Sequence, residues 1–158
     1  MSYLLHDEFS DSTPIVTNIR LARVNAHINH LRTHCVRVGT LFGGSFTCTI
    51  SQNGTDLDSA TITADDINAI PGSHIHGFFK WDFQNKVRLN KVPEELHTEY
   101  TLTFTSSGYT SDANNFFALC KDFDRPLVDS FGDEFNPDSP EDNAVSAPYG
   151  IEIYTFKR

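Results

Sequence analysis

The strongest candidate for chemistry in the chain is His74-Ile75-His76. On a strand, residues i and i+2 share a face and lie about 7 Å apart at ~3.3 Å per residue. Two imidazoles at that spacing can hold a metal ion once a third ligand arrives. No carboxylate follows at a helpful spacing, because Lys80 and Trp81 stand four and five residues on. His74 and His76 are therefore weak metal candidates, and no resident metal is expected. His27, His30 and His34 have no ordered spacing on a strand. As a titrating group they could make an interface sensitive to pH.

The carboxylates come next. Residues 121–147 carry Asp122, Asp124, Asp129, Asp133, Glu134, Asp138, Glu141 and Asp142 with almost no apolar periodicity. A glycosidase pair needs two carboxylates rigidly placed, one with a raised pKa, and nothing in this stretch predicts either. Clustered loop carboxylates suit Ca²⁺ better, which makes Asp129, Asp133, Glu134 and Asp138 candidates for Ca²⁺ or for an acidic interface. No DxDxDG run is present, and a solvated acidic surface loop is the plainer reading. There is no GxSxG nucleophile setting, and Gly43-Gly44 lacks the frame of a phosphate loop. The chain is expected not to be an enzyme and to need no cofactor, with Ca²⁺ the one exception considered.

Aromatic side chains are the remaining handle on a ligand. Trp81, Tyr109 and Tyr149 are candidates to stack on sugar rings. Tyr109, in Ser106-Ser107-Gly108-Tyr109-Thr110-Ser111, is the one expected to be exposed. Trp81 alternates with Phe79 and Phe83 on one face, for which core packing is the simpler role.

The elements that would carry these residues read as strands. Residues 15–38 are rich in Val, Ile, Leu, Thr and Arg, with a one-residue change of face that predicts a β-bulge near Arg23. Phe46 to Ile50 alternates, and Asn53-Gly54 is a strong hairpin signal before the return strand Ala60-Thr61-Ile62-Thr63. Thr63-Ala64-Asp65-Asp66-Ile67 reads as a capped single helical turn, and Pro71-Gly72 as a turn. Strands are predicted over 75–83, 100–105, 116–120 and near 149–156. Many short strands with frequent turn signals and almost no helix predict an all-β antiparallel sandwich of jelly-roll type, closed by a long acidic loop. Residues 1–14 are polar and read as an N-terminal arm dispensable for folding, which leaves 15–158 as a single domain.

The totals limit the partners. The chain has 158 residues, enough for one well-buried core, and a formal net charge of −9. That field disfavours nucleic acid and anionic membrane surfaces. Cys35, Cys48 and Cys120 are scattered and odd in number, so they are expected as free core thiols. The opening MSYLLHDEFSDS has neither a basic region nor an apolar run. No export signal is therefore expected.

A cadence runs through residues 46–156. It consists of Trp81-x-Phe83, Val87-x-Leu89, Leu96 followed by Tyr100-x-Leu102-x-Phe104, then Phe116-Phe117-Ala118-Leu119, and a closing Tyr149-Gly150-Ile151-Glu152-Ile153-Tyr154-Thr155. It resembles the jelly-roll domains of phage and giant-virus virion proteins and of some bacterial surface proteins. Two positions depart from that pattern: His97-Thr98-Glu99 precedes the Tyr where a Gly is usual, and Phe116 or Phe117 replaces a late-strand Trp. The resemblance implies a virion accessory protein, made in the host cytoplasm and carried on the particle as a capsid decoration, knob, or tail or fibre component. Its implied partners are other capsid or tail proteins and further copies of itself, a trimer by analogy, with a host-surface glycan as a further ligand. The alternatives are a stand-alone carbohydrate-binding module and a cupin-like metal-dependent enzyme using His74 and His76.

Overall fold

The computed structural model describes residues 6–21, 26–83, 98–120, 140–141 and 151–157, with side chains described over 6–18, 30–83 and 100–120. Ten strands and one short helix follow in chain order. They are β1 (His6–Glu8), β2 (Ile15–Leu21), β3 (Ala26–Val38), β4 (Ser45–Gln52), β5 (Thr55–Thr63), α1 (Ala64–Asn68), β6 (His74–Asp82), β7 (Thr98–Ser107), β8 (Phe116–Cys120), β9 (Pro140–Glu141) and β10 (Ile151–Lys157). All strand pairs are antiparallel.

The strands form two sheets. One contains β2, β7, β4 and β5 in that order. The other is organised around β3. β6 pairs with β3 from His30 to Val38, so it occupies one whole edge of that segment. β8, paired at Cys35–Val38, and β10, paired at Ala26–Thr33, must then share the opposite edge end to end. β1 extends the sheet beyond β8, and β9 extends it beyond β10.

Alternation explains what each face buries. Leu31, Thr33 and Cys35 on β3, Phe79 and Trp81 on β6, and Phe117 and Leu119 on β8 point inward. They meet Phe46, Cys48 and Ile50 of β4 and Tyr100, Leu102 and Phe104 of β7 from the other sheet. Rings lock across the gap: Trp81 lies edge-on to Phe104 at 5.6 Å, and Phe46 packs on Phe117 at 4.9 Å between centroids. Such pairs add stabilisation beyond the area they bury. The buried Trp81 indole keeps a partner, because its Nε1 donates to Thr33 Oγ1 at 2.9 Å. This sharing satisfies a polar group that would otherwise be costly in the core.

The hairpin is formed as predicted. Asn53 and Gly54 both take positive φ (50° and 81°) and join Gln52 to Thr55, the geometry of a two-residue primed turn. The ladder also shifts between Ile50 and Ser51, a bulge that the alternation does not reveal. α1 starts where predicted, with Thr63 Oγ1 accepting from Asp66 N–H at 3.2 Å. Its end is held by a buried cation. Arg37, 2% exposed, donates from Nη1 to the carbonyls of Ile67 (2.6 Å) and Ile70 (3.0 Å), and from Nη2 to Gly72 O. One guanidinium thus fastens α1 and the Pro71-Gly72 turn to β3.

Residues 6–14 correct the expectation of a free arm. β1 is hydrogen-bonded to β8, and Phe9, 2% exposed, sits inside the core. Its ring stacks on Phe117 at 5.0 Å and meets Phe46 edge-on at 5.1 Å. The physical reason is a single large hydrophobe in a polar stretch, which has no periodicity to announce it. The face change expected near Arg23 lies outside the described residues, and the segments flanking it belong to different sheets. Most of the acidic stretch 121–147 also lies outside them. The three cysteines are buried and none is joined in a disulfide, as expected.

Candidate functional site

Each strand that turns one set of residues inward turns the next set out. On the sheet containing β3, the outward set includes His34 and Val36 of β3, His74, His76 and Phe78 of β6, and Ala118 and Cys120 of β8. Val36, Ala118 and Cys120 form a small buried apolar cluster of their own, with Val38 and Phe116 packed against it. Strand register decides which of these outward side chains meet. Val36 lies opposite both His76 and Ala118. The Cys35–Leu119 and His34–Phe78 pairs place His34 and Cys120 two rungs along, on the same face.

Three donor side chains converge there. His34 Nε2 lies 2.8 Å from His76 Nδ1, an imidazole-to-imidazole hydrogen bond across the β3–β6 ladder. Cys120 Sγ lies 4.0 Å from the other nitrogen of the same ring, His76 Nε2. Taking one nitrogen from each imidazole, with the thiol sulfur, the three ligand atoms fall within 4.8 Å of one another. Burial grades across the group: Cys120 is buried, His34 half-buried and His76 exposed. Phe78 stacks on His34 at 5.4 Å, and the Arg32 guanidinium lies 5.1 Å over the Phe78 ring, so aromatic contact orients the His34 imidazole. Desolvation lowers the pKa of His76, and repulsion from His34 and His74 lowers it further. Both effects favour the neutral form of the ring.

His74, the other half of the sequence pair, is exposed, and its centroid is 6.4 Å from that of His76. The structure therefore gives His76 its nearest nitrogen partner from β3. Sequence reasoning missed His34 and Cys120 as members of this group. Parity could have placed both on the outward face, since Cys35 and Leu119 read as core. Only the register between strands brings them together.

The stacking candidates need correction. Trp81 is fully buried and Tyr109 only 6% exposed, so neither offers a ring face to a ligand in solvent. Tyr109 packs edge-on against Phe46 at 4.9 Å, and its hydroxyl accepts from Phe117 N–H at 2.8 Å. Burial raises the Tyr109 pKa. The Gly-Tyr context looked like an exposed loop because the Ser-rich flank hides a plug for the end of the sandwich. Asp11 clasps this plug: its carboxylate accepts from Ser106 Oγ at 2.6 Å and from Tyr109 N–H at 3.2 Å. The Ser106 hydrogen bond, helped by the backbone N–H groups, lowers the Asp11 pKa. Tyr149, Asp129, Asp133, Glu134 and Asp138 lie outside the described residues.

The chain matches no family model and shows no significant similarity to a curated protein or to a solved structure.

Proposed function

We propose that this chain is a non-enzymatic jelly-roll domain serving as an accessory protein of a virus particle, attached to capsid or tail and presenting its loops outward. The observation that carries the reading is strand order. One sheet runs β6, β3, the end-to-end pair β8 and β10, then β1; the other runs β5, β4, β7, β2. With β8 and β10 counted as one split strand, the chain crosses between sheets at β1–β2, β2–β3, β3–β4, β5–β6, β6–β7 and β7–β8. With β9 set aside as an added edge strand, that weave supports reading the sandwich as a jelly roll, an eight-stranded double Greek key used by capsid and lectin domains. The fold alone does not specify the role; the cadence of residues 46–156 supplies the virion part of the reading. Burial of Trp81 and Tyr109 favours attachment through protein surfaces over sugar stacking.

Mass spectrometry of particles purified from the source culture tests the proposal. The protein should be present at stoichiometric copy number and released as salt rises, because an interface built on a chain of net charge −9 is screened. Its absence from purified particles refutes the reading. Cross-linking of the free protein should give a closed homo-oligomer, with a trimer proposed.

A further inference from the structure

We propose that His34, His76 and Cys120 form a binding site for a borderline-soft divalent ion of the zinc class, on the outward face of the sheet. The site does not depend on the virion reading and is not the His74–His76 pair of the sequence. An expectation of no metal drawn from spacing along single strands cannot see a donor set assembled across three of them.

The donors match that ion class. Two imidazole nitrogens and one thiolate suit Zn²⁺ and contain no hard oxygen, which argues against Ca²⁺ and Mg²⁺. A tetrahedral ion with bonds of about 2.0–2.1 Å to nitrogen and 2.3 Å to sulfur holds its ligand atoms roughly 3.3–3.6 Å apart. The observed atoms lie within 4.8 Å, with His34 and His76 already in contact at 2.8 Å. Entry of an ion replaces that imidazole hydrogen bond by two metal–nitrogen bonds. The remaining adjustment draws donor atoms that now lie as far as 4.8 Å apart to within about 3.6 Å of one another.

The framework is well suited to hold the set. All three residues sit on paired strands, with β3 at the centre and β6 and β8 on its two edges, so their Cα positions are fixed by ladder hydrogen bonds. Phe78, with the Arg32 guanidinium over its ring, braces the His34 ring from the β6 side. Cys120 lies at the buried floor, in the Val36–Ala118 cluster, while His76 lies at the solvent side. An ion therefore enters past His76, and its fourth position faces outward, open to water or to a donor from a neighbouring molecule. Binding to the thiol releases its proton to solvent as the sulfur–metal bond forms.

Full-length protein, stripped with chelator and kept reduced, is titrated with ZnCl₂ by calorimetry and with CoCl₂ by absorption spectroscopy. One ion per chain is expected, with cobalt giving both the thiolate-to-metal charge-transfer band and the intense visible bands of a tetrahedral site. Cys120→Ser should remove the charge-transfer band. Because Cys120 is buried, His34→Gln and His76→Gln provide the same readout at less buried positions. Each should weaken zinc by more than about a hundredfold, since losing a ligand exceeds the 10–100-fold effect of losing an outer-shell partner. His74→Gln should leave both the band and the affinity in place. Failure of the wild type to bind, binding without the thiolate band, or a band that survives His34→Gln or His76→Gln would each overturn the site.

Discussion

Phe9 is the sharpest test of how this sandwich is held together, because a polar N-terminal stretch would ordinarily be trimmed without concern. Replacing Phe9 by Ala removes a ring that is 2% exposed and lies within 5.0–6.3 Å, centroid to centroid, of Phe117, Phe46, Phe104 and Trp81. Phe→Ala changes in packed cores cost about 3–5 kcal/mol. Four surrounding rings, two from each sheet, leave little room for collapse into the cavity, which places the expected loss near 4 kcal/mol. Set against a total stability of about 5–15 kcal/mol, that is a large fraction. It corresponds to a fall in Tm of roughly 8–16 °C at about 2–4 °C per kcal/mol for a domain of this size. Urea unfolding followed by tryptophan fluorescence measures it directly, since Trp81 is the only Trp and its ring is stacked on Phe9 at 6.3 Å. Val16→Ala, at a position 57% exposed, is the control and should change stability by less than about 0.5 kcal/mol. If Phe9→Ala costs less than about 1 kcal/mol, or if a chain beginning at residue 15 unfolds at the wild-type midpoint, the N-terminal stretch does not complete the core.

Two further outcomes follow from buried and clasped polar groups. Arg37→Met should cost about 2–4 kcal/mol, because the carbonyls of Ile67, Ile70 and Gly72 lose a charged donor together. Amide exchange should accelerate first in α1 and the Pro71-Gly72 turn, whereas uniform acceleration across both sheets would contradict the staple. The Asp11 carboxyl titrates below its unfolded value, so the stability it contributes is present above the unfolded pKa and lost as pH falls through the folded one. Urea midpoints should therefore decline as pH drops below about 4, and Asp11→Asn should flatten part of that decline. An identical pH profile for wild type and variant would remove Asp11 from the account.

How much of this was readable beforehand depends on whether the signal is local. Asn53-Gly54, the Thr63 cap and the alternating rows Phe79-Trp81-Phe83 and Tyr100-Leu102-Phe104 are set by neighbours a few residues away, and each forms where the sequence places it. β1 is a three-residue strand of His, Asp and Glu, and among the described residues its apolar anchor, Phe9, lies just past its end. No periodicity can flag that arrangement. Tyr109 reads as exposed because composition cannot reveal the Asp11 carboxylate that folds back onto it. The His34, His76 and Cys120 group spans 42 and 44 residues between successive members. Its existence depends on register across two ladders, which no spacing along one strand encodes.

The split edge of β3 bears on what the chain can carry. β8 leaves β3 with Leu119 opposite Cys35, and β10 returns with Ile151 opposite Thr33. The two ends of residues 121–150 are thus anchored two rungs apart on one strand. Each is held on β3 by its own ladder, with β9 from within that stretch adding a second ladder to β10. Closing a chain between such near neighbours varies by only about 0.6 kcal/mol for each doubling of its length. The position is a ready-made graft point: a foreign epitope or a small folded cargo inserted there should leave both sheets in register. Descendants of this chain could diversify what they present while keeping the same scaffold.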